Sequence, residues 1–226
     1  MPFFRPVLLA VPLFLAATAA LAAEAGTTYT LDAAKSRVYV QVLKDTTTAG
    51  SDLSHDHVVL ATGWTGTVHL SATDPALCSV DVVVPVSGLR PDQPELRQKV
   101  GYTVMLTDAQ QAQVAEHMVG ADQLNGAGFS DVRFRATSCS GSAAVAGTGT
   151  TFTASRVVTG QLTIHGVAKT VQIPLRLTFD GTSLHATGAF SAVHEDFGFS
   201  PYTAFFGTLR NQAGLNFTLD VVGAAR

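Results

Sequence analysis

The chain has few charged residues, only two cysteines and a single tryptophan. Charged side chains make up 14% of its 226 residues, well below the quarter or so that is usual for soluble domains. The apolar share is 46%, which is ample for a core. Nucleic acids and anionic membrane surfaces attract clustered basic side chains, so the net charge of −3 disfavours both as main partners.

Several motifs that mark enzymes are also missing. The chain has no glycine-rich phosphate loop, no Gly-x-Ser-x-Gly nucleophile elbow and no dinucleotide fingerprint. No internal repeat recurs, and no shift in composition marks a linker. The sequence therefore favours a single domain with a binding function, and we predict that it is not an enzyme.

The N-terminus has the pattern of a secretory signal peptide. Arg5 is its only charge, residues 7–17 form an apolar run, and Ala20-Leu21-Ala22 supplies small residues for cleavage. The run is short and rich in alanine for a membrane span, although a membrane anchor is the alternative. We predict a signal peptide over residues 1–23, export to the periplasm, and a mature domain over residues 24–226 without an integral membrane span.

The two cysteines, Cys78 and Cys139, lie far apart in the sequence. In an oxidising compartment we expect them to form a disulfide, and two buried free thiols are the alternative. They do not form a Cys-x-x-Cys motif, which argues against a redox role.

Alternation of apolar and polar residues predicts strands along most of the chain. The clearest pair, residues 158–164 and 171–179, flanks His165-Gly166, which predicts a hairpin. Asp180-Gly181 predicts a second hairpin turn. Further alternating runs cover residues 38–43, 58–70, 80–86, 129–137, 184–193 and 215–221. Strands in this number, mostly with short connections, predict an all-β fold, a single antiparallel eight-stranded lipocalin-like β-barrel.

Only one part of the chain has helical character. A short helix is expected from Pro94, and a longer one from Thr107, whose capping box with Gln110 marks a helix start. An apolar stripe is expected on the longer helix; its members are Ala112, Ala115, Met118 and Val119. Residues 138–150, rich in Gly, Ala and Ser, are expected to form a loop.

The central hairpin carries a resemblance to a known family. Its wording, Leu-Thr-Ile-His-Gly-Val-x-Lys-x-Val-x-Ile-Pro over residues 162–174, resembles that of the YceI family. Residues 29–38 and Asp196-Phe197-Gly198 are similar to that family as well. The resemblance implies a periplasmic lipocalin-like barrel that binds a polyisoprenoid or another long apolar molecule. It implies no cofactor beyond such a bound lipid, and it leaves a homodimer open.

We expect the inward faces of the strands to form an apolar ligand site. Small residues at Ala186, Gly188 and Ala192 are expected to leave space inside the barrel. The predicted lining is Val40, Val42, Trp64, Val82, Phe134, Leu162, Ile164, Ile173, Leu175, Phe190, Phe197 and Phe217.

Three other functions compete with this interpretation. His55 and His57 could bind one metal ion in a periplasmic metal-binding or redox accessory protein, if a further ligand lies near. The alternative, which we favour because no complete ligand set is visible, is a polar loop whose histidines make local hydrogen bonds. A filled barrel acting only as a structural module is the second competitor. A hydrolase is the third, although no nucleophile and base are marked by the sequence.

Overall fold

The computed structural model describes residues 26–226, which form a closed antiparallel β-barrel with a short helical insertion. Eight strand positions follow one another around the barrel, and pairing between the first and the last closes it. The predicted fold class is confirmed. The predicted signal peptide, residues 1–23, lies outside the described residues. Within residues 26–226, no helix has the length and the hydropathy that crossing a membrane requires.

The elements follow the alternation in the sequence closely. The first seven strands are β1 (Thr27–Leu31), β2 (Arg37–Val42), β3 (His57–Ala61), β4 (Thr65–Leu70), β5 (Cys78–Pro85), β6 (Leu89–Pro91) and β7 (Asp131–Gly141). The others are β8 (Val145–Ala146), β9 (Phe152–Ile164), β10 (Val167–Phe179), β11 (Ser183–Val193), β12 (Thr203–Ala204), β13 (Leu209–Arg210) and β14 (Gly214–Ala225). The helices are α1 (Pro94–Lys99) and α2 (Asp108–Val119).

Three of the eight strand positions consist of two shorter strands placed end to end. The first position consists of β1 and β2, which both pair with β14. The second consists of β4, which pairs with β1, and β3, which pairs with β2. The third consists of β5, which pairs with β4, and β6, which pairs with β3. Gly63, between β3 and β4, has a φ of 65°, a left-handed conformation that glycine adopts without a Cβ clash. The other five positions are β7, β9, β10, β11 and β14.

The central hairpin forms as the sequence predicts. β9 and β10 pair from Val167 opposite Ile164 to Phe179 opposite Phe152, around a turn at His165 and Gly166. Proline lacks an N–H group, and Pro174 lies directly before the point where β10 begins to pair with β11.

The two ends of the barrel are built differently. We call the end where β3 begins and α2 packs the helix end, and the end with the Cys78–Cys139 bond the disulfide end. The predicted disulfide is present, with a Cα–Cα distance of 5.7 Å. Around it the disulfide end is closed by apolar side chains, which include Tyr29, Leu70, Leu177, Phe179 and Leu184.

The expected loop over residues 138–150 is wrong in part. β7 continues through Gly141, with an irregularity between Ala136 and Ser138, and keeps pairing with β9 as far as Arg156. Val145 and Ala146 of β8 also pair with β9. Backbone hydrogen bonds need no apolar side chain, so small polar residues extend a strand that already has a partner.

Candidate functional site

The barrel encloses a cavity of about 330 Å³. That volume falls within the range of roughly 300–1,000 Å³ typical of small-molecule sites. Eleven of the twelve predicted lining residues do line it, contributed by strands on all sides: Val40, Val42, Trp64, Val82, Phe134, Leu162, Ile164, Ile173, Leu175, Phe190 and Phe217. Whether they contact a ligand stays a prediction.

Phe197, the twelfth predicted residue, does not line the cavity. It belongs to a short 3-10 turn, His194–Phe197, and is completely buried in a cluster with Phe199, Leu162 and Leu215. Its ring is therefore part of the packing that surrounds the cavity, whereas Phe199 lines the cavity itself.

The expectation that Gly188 leaves space inside the barrel also needs correction. A Cβ built at Gly188 would lie 2.6 Å from Leu175 Cδ2, and one built at Gly160 would lie 2.8 Å from Phe134 Cζ. These glycines make room for large neighbouring side chains instead of leaving a void. The cavity is bounded by those neighbours, Leu175 and Phe134.

The helix α2 covers the cavity at the helix end. It starts with the predicted capping box, in which the Gln110 N–H donates to Thr107 Oγ1 at 3.3 Å and the Thr107 N–H donates to Gln110 Oε1 at 2.9 Å. Val114, His117 and Met118 line the cavity. The expected stripe is wrong at Ala112 and Val119, which are exposed. Only one turn of α2 contacts the cavity, through residues at spacing i, i+3 and i+4.

The lining has a polar part, and none of its members was predicted as a lining residue. Its members come from β2, the start of β3, α2, the turn after α2, and the segments that follow β11, β12 and β13 or lie beside them. They are Tyr39, His57, His117, Gln123, His194, Tyr202 and Asn211. The rest of the lining is apolar apart from the indole N–H of Trp64, which is buried without a hydrogen-bond partner among the described residues.

His57 is held in place by a buried carboxylate. Its Nδ1 lies 2.7 Å from Asp92 Oδ2. Because a carboxylate only accepts, Nδ1 is the donor, which leaves Nε2 to accept in the neutral ring. Asp92 Oδ1 accepts from Arg97 Nη1 at 2.5 Å and from the Val58 N–H at 3.1 Å. Asp92 and Arg97 are almost completely buried.

The same arginine fastens the helical insertion to the barrel. Arg97 Nη1 donates to the Asp56 carbonyl at 2.7 Å, and its Nε donates to the Val104 carbonyl at 2.9 Å. The guanidinium also lies over the Tyr102 ring, 5.0 Å from its centre. α1 and the segment leading to α2 are thereby fixed against β3. A buried Asp and Arg in polar-looking stretches give no periodic signal, which is why sequence reasoning missed them.

The pKa values of this region follow from burial and hydrogen bonding. Burial raises the pKa of the Asp92 carboxyl, but the hydrogen bonds from His57, Val58 and Arg97 together hold it below its ordinary value. Burial lowers the pKa of His194, whose Nδ1 donates to the Ala213 carbonyl at 2.8 Å. His194 is therefore neutral at neutral pH.

The metal hypothesis gains no ligand set. His57 Nδ1 donates to Asp92, which leaves only Nε2 of this ring free to bind a metal ion. Arg97 sits beside the same carboxylate and repels a cation. Between residues 26 and 226 no three His, Cys, Asp or Glu side chains are arranged to hold a metal ion.

The chemistry available inside the cavity is limited. Of the described residues that line it, none is Ser, Thr, Cys, Lys, Asp or Glu. His57 and Asp92 resemble a base with its orienting acid, but a nucleophile within reach is also required for covalent catalysis. The arrangement suits an apolar molecule whose polar atoms, where it has any, meet histidine, tyrosine or asparagine.

Comparison with known proteins gives one family and several similar structures. A profile described as the YceI-like domain matches residues 29–221. A search of curated proteins finds no significant match.

Solved structures share the architecture at low sequence identity. BcnA of Burkholderia cenocepacia is 18% identical with a TM-score of 0.54, over 85% of this chain and 98% of that one. A polyisoprenoid-binding domain of Saccharophagus degradans, implicated in plant cell wall breakdown, is 11% identical with a TM-score of 0.56, over 88% and 99%. At these identities the likeness concerns the fold.

Proposed function

The chain belongs to the family of YceI-like domains, and we propose that it holds a long apolar molecule, a polyisoprenoid or a fatty-acyl lipid, inside its barrel. The cavity of about 330 Å³ with its almost continuous aliphatic and aromatic lining carries this proposal. The similarity to a polyisoprenoid-binding domain supports it.

The free energy of burying a long apolar chain is sufficient for tight binding through apolar contacts alone. Each buried methylene contributes about 0.8 kcal/mol, so a long chain binds tightly without a charged partner. The polar side chains at the helix end permit a polar ligand group there, or a ligand end that leaves the barrel.

The proposal includes a noncatalytic role in an exported protein. The described lining residues include no Ser, Thr, Cys, Lys, Asp or Glu, which supports carriage or storage over turnover. The N-terminal pattern of residues 1–23 supports export, with residues 24–226 as the mature domain. The disulfide supports an oxidising compartment such as the periplasm.

Native mass spectrometry of the purified protein tests this function, followed by organic extraction and by titration with a long-chain lipid. Ala186→Phe places a ring in the cavity, because Ala186 lines it. Ala189→Phe is the matched control, since Ala189 is exposed on the same strand. We expect a bound lipid mass, or lipid uptake, in the wild type and in Ala189→Phe, and at least tenfold weaker binding in Ala186→Phe. Circular dichroism shows whether each variant is folded. A wild-type protein that carries no lipid and takes none up would contradict the proposal.

A further inference from the structure

One charged side chain points into the barrel. Alternate residues of β9 face inward, and Arg156 occupies one of these positions between Ala154 and Val158. Only 3% of its surface is exposed. Its backbone is paired with Leu175 of β10 on one side and Gly141 of β7 on the other. It therefore lies in the disulfide half of the barrel, two residues along β9 from Val158, which is opposite Cys139.

Within residues 26–226 the guanidinium has no carboxylate to neutralise it. Nη1 and Nη2 are both buried, and neither has a hydrogen-bond partner among the described residues. Burial lowers the pKa of Arg156, but arginine starts above about 12 and stays protonated at neutral pH. A buried charge without a partner strongly destabilises a folded protein. By contrast Arg97, the other buried arginine, has a carboxylate and two carbonyls.

The surroundings leave space for this side chain next to the cavity. Its neighbours Val158 and Leu175 both line the cavity. On the other side, a Cβ built at Gly141 would lie 3.4 Å from Arg156 Cδ, an ordinary van der Waals distance, so Gly141 packs beside the stem. The guanidinium does not itself line the cavity. Arginine has a long flexible stem, and binding of a ligand group would require that stem to turn so that its donors reach the inner end of the cavity.

We propose that Arg156 binds the anionic head of the ligand, a carboxylate or a phosphate, so that an acidic lipid enters head first with its chain toward the helix end. This rests on the proposed lipid-binding function and narrows it to amphiphiles with an acidic group. The planar fork of arginine matches both anions with paired hydrogen bonds. No other described residue facing this half of the cavity carries a charge.

The test compares three ligands with the same sixteen-carbon chain: palmitate, hexadecyl phosphate and hexadecanol, of which only the alcohol is neutral. Trp64 is the only tryptophan, is buried and lines the cavity, so its fluorescence reports binding. Arg156→Met removes the charge with little change in length. Arg176→Met removes an exposed arginine from the outer face of β10 and is the control.

We expect wild type and Arg176→Met to bind at least one of the two anions about ten- to hundredfold more tightly than the alcohol. Arg156→Met loses that preference and keeps its affinity for hexadecanol. The anion that shows the preference identifies the head group. Arg156→Met should also unfold at a temperature about 2–4 °C higher or more, since an unpaired buried charge is gone. A residue with only a structural role would give no change in the anion-to-alcohol ratio.

The outcomes separate this proposal from the broader one. Equal binding of all three ligands by the wild type would overturn the role of Arg156 and leave the lipid-binding function intact. An anion preference that survives in Arg156→Met would place the head elsewhere, and it too would overturn this proposal alone. Binding of none of the three, by a protein that also yields no lipid on organic extraction, would overturn both.

Discussion

The two ends of this barrel hold themselves together by different means. At the disulfide end, apolar side chains such as Tyr29, Phe179 and Leu184 pack around a covalent bond between β5 and β7. At the helix end, a buried carboxylate with its histidine and arginine ties the insertion to β3. The stability that apolar packing and a disulfide provide depends little on pH, whereas the stability that a network of ionised groups provides depends strongly on it.

This difference indicates which end of the barrel opens more easily. The disulfide end is closed by groups that cannot be separated without exposing apolar surface. The helix end is roofed by a helix that has no buried residue of its own and is held through directional bonds and a few contacts. Breaking those bonds costs less rearrangement of the barrel, so we expect entry and exit of a ligand at the helix end.

The largest effect is expected from breaking the network at the helix end. Asp92→Asn removes the negative charge that Arg97 and His57 share, and it leaves Arg97 buried without a counter-charge. Removal of one partner from a buried ion pair destabilises a protein by about 3–5 kcal/mol. We expect a loss of that size in urea unfolding at pH 7. Asp81→Asn, which breaks an exposed pair with Arg135, is the control and should change stability by less than about 1 kcal/mol.

The same variant also tests how the stability of the helix end depends on pH. The folded-state pKa of Asp92 lies below its ordinary value, which is about 3.9 in an unfolded chain. Its contribution is thus complete above about pH 4 and is lost as the pH falls through the lower folded value. The difference in stability between wild type and Asp92→Asn should shrink steadily below about pH 4. A constant difference down to pH 2 would show that Asp92 does not titrate with the fold.

A smaller effect is expected at the disulfide end. Replacing Cys78 and Cys139 together by alanine opens a link between positions 61 apart in sequence. Closing a loop of this length contributes about 2–4 kcal/mol, chiefly by restricting the unfolded chain. The double variant should lose that amount in urea unfolding without a reductant, and a reductant should lower the wild type to the same value. Equal stability of both proteins in its absence would mean that apolar packing alone holds this end.

The barrel itself could be predicted from the sequence, because each of its eight strand positions contains a run with a period of two; β8 and the end of β7 lack that pattern. The hairpin at His165-Gly166, the capping box at Thr107 and the paired cysteines carry local signals of the same kind. Eleven of the twelve residues predicted as lining do line the cavity, since inward alternation decides their direction. Phe197 does not line the cavity, because it lies four residues beyond the end of β11, in a 3-10 segment where strand alternation no longer applies.

The polar features of the molecule could not be predicted in this way. Asp92 meets His57 and Arg97 through pairing of β3 with β6, which no local pattern records. Arg156 had a signal that was available and unused, because it interrupts the inward face of β9 among Ala154, Val158 and Leu162. A charged residue at an inward position of an otherwise apolar strand conflicts with the packing that the pattern predicts. Such conflicts concentrate at functional sites.

The smallest effect is expected at the tip of the hairpin β12–β13, beside the helix end. Phe206 is fully exposed and has a φ of 56°, a left-handed conformation that is unfavourable for a bulky residue. Asn tolerates this conformation better, so Phe206→Asn should stabilise the protein by about 0.5–1 kcal/mol. Val145→Asn at the disulfide end is the control: it also removes an exposed apolar side chain, but from a strand residue without left-handed backbone. It should give no gain. A loss of stability in Phe206→Asn would mean that the ring is packed in solution, and the helix end would then be less open than the contrast between the two ends requires.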